Sequence, residues 1–69
     1  MSDATYRIIE ITGSSPDGVQ QAIDNGVARA NATLRNTDWV EVTSIRGALD
    51  NGKVAHYQVT MKIGFRMED

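Results

Sequence analysis

The sequence has no cysteine, one proline, one histidine and one tryptophan in 69 residues. The missing cysteines exclude disulfides and thiolate metal sites together. His56 alone does not build a metal site of the common kinds. No apolar run is long enough to span a membrane. The opening "MSDATYRIIEI" has neither a basic n-region nor an apolar h-region, so the expected location is the cytoplasm. Charge of one sign is missing as well: the net charge is −2 with both signs interspersed. Phosphate backbones need a basic stripe, and its absence sets nucleic acid aside as a partner.

These absences weigh more because the chain is short. Residues 1–69 hold one domain. A domain of this size buries only roughly 60% of its unfolded surface and is marginal without a staple. With disulfides and metal removed, oligomerisation is the staple that remains.

What is present falls into three segments. "TYRIIEIT", residues 5–12, is β-branched and aromatic and reads as a strand. Its apolar residues fall on both faces, Tyr6 and Ile8 on one and Ile9 and Ile11 on the other, which predicts burial on both sides. In "GSSPDG", Gly13 ends the strand, Ser15 suits an N-cap, Pro16 the first helical position and Asp17 the positive end of the dipole. Val19, Ala22, Ile23, Val27, Ala30 and Leu34 then recur at helical spacing and form one apolar face. Asn25-Gly26 is also a turn signal, but the apolar period runs straight across it. One helix from Pro16 to about Asn36 is expected, roughly 31 Å long. Gly26 lowers its stability by about 1 kcal/mol relative to Ala, and close packing of backbone on the sheet accounts for it.

The third segment is "NTDWVEVTSIRGALDNGKVAHYQVTMKIGF", residues 36–65. Asn51-Gly52 predicts a type I′ hairpin, because both central positions of that turn take positive φ. The register follows by counting back from the turn. One face carries Val40 opposite Ile63, Val42 opposite Met61, Ser44 opposite Val59 and Arg46 opposite Tyr57. The other carries Glu41 opposite Lys62, Thr43 opposite Thr60, Ile45 opposite Gln58 and Leu49 opposite Val54. An apolar column backed by matched polar pairs is what a hairpin half covered by a helix needs. The helix returns the chain across the sheet, so the last strand fits between the other two, antiparallel to both. The expected fold is α+β, in the order β-α-β-β, with a three-stranded antiparallel sheet wrapped around one helix.

In this register Trp39, Ile45, Leu49 and Val54 fall on the face the helix leaves open, and together they form an apolar patch. Trp39 and Gln58 share that face six residues apart, roughly 20 Å. A small ligand touching both takes at least one from a neighbouring subunit. Arg46 falls on the opposite face unless a β-bulge intervenes. His56 has Asp50 and Glu41 as carboxylate partners for acid–base chemistry, but no nucleophile–base–orienter set converges. It reads as a solvated or interface imidazole, and the chain as a binding protein rather than an enzyme.

The pattern "W-x-E-V…RG…Y-Q-V-T-x-K-x-GF", with the opening "TYRIIEITGSSPDGVQQAI", resembles the dodecin family over nearly the whole chain. The resemblance implies a hollow homododecamer of β-α-β-β subunits with helices facing outward. It also implies flavins bound in pairs at two-fold axes, each ring stacked on a tryptophan. Carried over by residue, Trp39 is the stacking indole and Gln58 the partner of the polar ring edge. Arg46 matches a position close to the flavin in bacterial members, either through a bulge or in a role in assembly. The function implied is storage and buffering of FMN, riboflavin or lumichrome. Some relatives bind coenzyme A, for which Arg66 and Lys62 would be the phosphate partners.

Overall fold

The computed structural model describes residues 3–68. Strand β1 spans Tyr6–Ser15, helix α1 Val19–Asn31, strand β2 Thr37–Asp50 and strand β3 Lys53–Arg66. The sheet order is β1-β3-β2, with β3 antiparallel to both neighbours. The β-α-β-β order and the central position of the last strand are as the sequence predicts.

Both ends of the helix lie inside the expected limits. Ser15 does not cap it. Ser15 is the buried last residue of β1, and its Oγ accepts a hydrogen bond from the Asp17 N–H at 2.9 Å. That hydroxyl folds the chain into a turn, so the helix begins at Val19. At the other end Thr33 and Leu34 donate back to the Ala30 carbonyl at 3.2 and 2.9 Å. This turn keeps Leu34 against the core after the helix has ended. Leu34 therefore holds to the apolar period without being helical, which is why periodicity alone lengthens the helix.

Gly13 does not end β1 either. It lies inside the strand where the helix backbone crosses it. A Cβ at this position would overlap the Ala22 carbonyl oxygen and come within 3.1 Å of the Gly26 nitrogen. Asn25-Gly26 is helical, and each residue has a contact to make. Asn25 Nδ2 donates to the Ser14 carbonyl at 3.0 Å, and a Cβ on Gly26 would stand 2.9 Å from Met61 Cε. The expected close packing of Gly26 on the sheet is what the fold contains.

The core is small and centred on β3. Val59, Met61 and Ile63 meet Ala22 and Ala30 of the helix, with Ile9, Ile11 and Val27 alongside. The expectation of burial on both faces of β1 is not met within one chain. Ile9 and Ile11 pack inward, whereas Ile8 is 54% exposed because only one layer of helix covers the sheet.

The hairpin turn is as predicted, with Asn51 at φ 53° and Gly52 at φ 76°. The register holds at its two ends, where Asp50 meets Lys53, Leu49 meets Val54, Val42 meets Met61 and Val40 meets Ile63. Between them it is shifted by one residue. Ser44 pairs with Thr60, Ile45 with Val59, Arg46 with Gln58, Gly47 with Tyr57 and Ala48 with His56. The expected pairs of Ser44 with Val59, Arg46 with Tyr57, Thr43 with Thr60 and Ile45 with Gln58 are thus corrected. Ala55 is an extra residue on β3 and Thr43 an extra residue on β2, and the two insertions cancel. The shift puts Ile45, rather than Ser44, beside the fully buried Val59. Thr43 Oγ1 donates to the Thr60 carbonyl at 3.2 Å, satisfying an acceptor where the ladder is interrupted.

Partners across a strand pair share a face, so Ile45 lies on the helix side of the sheet with Val59. Val54 does too, because a Cβ on Gly47 would touch its methyl groups at 3.1 and 3.2 Å. Leu49, paired with Val54, follows. The apolar patch expected to unite these residues with Trp39 is therefore two surfaces, one on each side of the hairpin.

Gly13 and Gly26 respond differently to substitution. Gly13→Ala drives a methyl group into helix backbone and is expected to lower stability by about 1–3 kcal/mol, as overpacking does. Gly26→Ala meets the ends of two side chains, Met61 and, at 3.4 Å, Ile11, while gaining about 1 kcal/mol of helix propensity, so its net effect stays within about 1 kcal/mol of zero. Urea unfolding at one fixed protein concentration distinguishes the two.

Candidate functional site

The face of the sheet away from the helix is built in rows across β1, β3 and β2. Ile8, Gly64 and Trp39 form one row, Glu10, Lys62 and Glu41 the next, then Thr12, Thr60 and Ser44, then Ser14, Gln58 and Arg46. Thr12 and Thr60 exchange a hydrogen bond at 3.0 Å between hydroxyls. Trp39, Gln58 and Arg46 therefore share one face. A straight register places Arg46 on the other side unless a β-bulge intervenes; that bulge is the extra residue at Thr43, which rephases the strand and brings Arg46 round beside Gln58.

Trp39 stands at the corner of this face and is 38% exposed. It lies across the neighbouring strand, in the volume a side chain at position 64 would need. A Cβ on Gly64 would overlap indole Cε2 and Cζ2 and come within 2.7 Å of Nε1. Tyr6 reaches the same corner from β1, its ring centroid 6.4 Å from that of the indole at an interplanar angle of 46°. The Tyr6 hydroxyl donates to Asp38 Oδ2 at 2.7 Å, and Asp38 is the extra residue that shifts the β2 register just before Trp39. The bond to Asp38 raises the Tyr6 pKa, with burial and the charge of the same carboxylate acting in the same direction and Arg66 opposing them. Charging the phenol would set two anions against each other.

The polar end of the face is elsewhere. Gln58 pairs with Arg46 six residues along β3 from Gly64, about 20 Å away. A side-chain amide offers both donor and acceptor, and a guanidinium offers donors only. Lys62 sits between Glu10 and Glu41, two carboxylates that oppose an anion there. His56 is opposite Ala48, Glu41 opposite Lys62, and Asp50 beside the turn opposite Lys53. Among the described residues no group of three or more His, Cys, Asp or Glu is placed to hold a metal ion, and no helix is long and apolar enough to cross a membrane.

The sequence alone assigns Tyr6, Asp38 and Gly64 no part in the site, Tyr6 appearing only as an apolar residue of the first strand. Gly64 was within its reach, because the hairpin register that pairs Val40 with Ile63 also sets a glycine opposite the tryptophan. Tyr6 and Asp38 were not, since their meeting depends on the offset of β1 against β3, which no turn fixes.

Two outcomes follow. Gly64→Ala is expected to push the indole off β3 and move the tryptophan emission to longer wavelength while the far-ultraviolet circular dichroism stays unchanged. In an ultraviolet titration Tyr6 ionises above the ordinary tyrosine value of 10.0, and Asp38→Asn brings it back down. The bond to Asp38 is fully present below that ordinary value and is lost as pH rises through the raised one.

The dodecin family model matches residues 5–68. The curated dodecin of Thermus thermophilus is 44% identical over 64 residues, covering 93% of each chain. Among solved structures, dodecin from Streptomyces coelicolor superposes with a TM-score of 0.94 at 56% identity, over 100% of this chain and 99% of that one. Dodecin from Streptomyces davaonensis gives 0.93 at 56% identity, over 99% of this chain and 100% of that one. With the β-α-β-β order and the sheet topology matched over nearly its full length, the chain belongs to the dodecin family.

Proposed function

We propose that this protein stores and buffers flavins (FMN, riboflavin or lumichrome) in sites completed by assembly into a hollow dodecamer. One observation carries the reading. Trp39 and the Gln58–Arg46 pair share an open face but stand about 20 Å apart along it. A ligand that uses both takes them from different protomers. A two-fold axis then supplies two indoles and two ligands at once.

The residues present fit such a ligand. The exposed indole offers a stacking surface, and aromatic stacking contributes about 0.5–1.5 kcal/mol beyond burial. Each ~100 Å² of ring covered adds about 2.5 kcal/mol at about 25 cal/mol per Å². Gln58 offers a donor and an acceptor to a ring edge that presents both, and Arg46 adds donors beside it. When bound, the flavin supplies a photoexcitable one-electron acceptor. The role of Trp39 is to lie against it and quench it by giving up an electron. A stacked ring is closed to a second substrate, and His56, Asp50 and Glu41 stand apart, so storage is favoured over catalysis.

Titration with riboflavin, FMN and lumichrome, followed by fluorescence, tests the reading together with the mass of the purified particle. Wild type is expected to quench the ligand and to run at a dodecameric mass. Trp39→Ala should remain assembled and lose at least about tenfold in affinity, the equivalent of ~1.4 kcal/mol. Undiminished ligand emission at saturating protein would leave a shell that binds coenzyme A or nothing.

A further inference from the structure

The corner that holds Trp39 contains more than a stacking indole needs. Tyr6 has its ring within aromatic contact distance of the indole, at 6.4 Å between centroids. Its hydroxyl proton already points at a carboxylate oxygen, Asp38 Oδ2, at 2.7 Å. A phenol resists giving up an electron while it must keep its proton, because the cation left behind is strongly acidic. A carboxylate at hydrogen-bond distance removes that obstacle. Stacking itself calls on the indole alone, whereas an indole that loses electrons can draw on such a pair.

We propose that Tyr6 and Asp38 form a proton-coupled relay that refills Trp39 after the indole has lost one electron. The oxidant is a one-electron acceptor against the indole; identifying it as a photoexcited flavin rests on the function proposed above, but the relay itself does not. Loss of one electron leaves the Trp39 radical cation with its Nε1 proton in place. Tyr6 then supplies one electron to the indole, its O–H bond breaks, and the proton passes to Asp38 Oδ2. The products are neutral Trp39, a Tyr6 phenoxyl radical and a protonated Asp38 carboxyl. When the reduced acceptor returns its electron to the phenoxyl, Asp38 returns the proton and the chain is restored with no net chemistry. The oxidising equivalent thereby leaves the residue that touches the ligand, which protects the indole from irreversible damage.

The other tyrosine serves as an internal control. Tyr57 pairs with Gly47 and Ser15 on the helix side of the sheet, the face opposite Trp39, and within one chain it lies seven residues along β3 from Gly64, about 23 Å.

Pulse radiolysis of the flavin-free protein in azide solution tests the relay, because the azide radical oxidises indole faster than phenol at neutral pH. In wild type the indole radical band is expected to decay as a tyrosyl band grows, at a rate independent of protein concentration and slower in deuterium oxide. Tyr6→Phe keeps the ring and removes the hydroxyl; it should abolish the growth and prolong the indole radical. Asp38→Asn should slow the transfer, and Tyr57→Phe should change nothing. Equal tyrosyl growth in wild type and Tyr6→Phe, or an indole radical equally long-lived in both, overturns the proposal. A parallel riboflavin titration of the same samples keeps the two readings apart. Transfer without riboflavin binding supports the relay and removes the flavin store, while binding without transfer does the reverse.

Discussion

The structure is governed by a mismatch of lengths. The single helix has 13 residues, about 20 Å, and lies against hairpin strands of 14 residues each, about 46 Å. It covers β1 and the near half of β3 and scarcely reaches β2, so the molecule measures 55 × 20 × 14 Å. Two sets of apolar side chains are left outside. Val40, Val42, Ile45 and Leu49 line the helix side of the hairpin, Leu49 at 70% exposure, and Ile8, Tyr6 and Trp39 sit on the other side. A chain with so small a core has little stability in reserve. Both exposed sets are therefore surfaces whose burial by further copies or by ligand adds directly to the stability of the fold. The two differ in kind: one is purely aliphatic, the other aromatic and next to polar groups, so only the second offers a ligand both stacking and hydrogen bonds.

The paired insertions at Thr43 and Ala55 decide what that second surface contains. A one-residue slip moves every side chain of a strand to the other face. Here the slip is confined to the stretch between the two insertions, so the turn and the buried end both keep their register. Without it Arg46 would lie beside Tyr57 on the helix side, and Ser44 would be set against the buried Val59. With it an arginine and a glutamine stand together on the face that carries the tryptophan. Each interruption of a ladder forfeits about 0.5–1.5 kcal/mol of hydrogen bonding, and the Thr43 hydroxyl recovers part of that at the Thr60 carbonyl.

Much of this was legible in the sequence, for identifiable reasons. Asn51-Gly52 fixed the turn because few other pairs tolerate its backbone, and the strand order followed from a helix that had to carry the chain back. The dodecin pattern around Trp39 and Gln58 was visible because its residues are rare types at fixed spacing. The hairpin pattern did not locate the bulges; only the resemblance, by setting Arg46 near the flavin, left one open as an alternative. The stretch from Ser44 to Ala48 has too little apolar contrast for binary patterning to tell one register from the next, and only the packing of Ile45 beside Val59 settles it. The helix ends were misjudged because Ser15 and Leu34 do what helical residues would do while standing outside the helix.

The corner around Trp39 shows why local propensity is a poor guide to such a site. A glycine within a strand weakens it, an insertion at Asp38 disturbs the edge of the hairpin, and a large indole stays more than a third exposed. Each is unfavourable for the isolated chain, yet each is required by the others. Gly64 has no side chain, so the indole can lie across β3; Asp38 is displaced in the ladder, and its carboxylate meets the Tyr6 hydroxyl across the central strand. Departures from local preference that depend on one another in this way mark a position shaped by something outside the single chain. The surface that would make them favourable is one laid against the exposed indole, and the proposed two-fold stack supplies it.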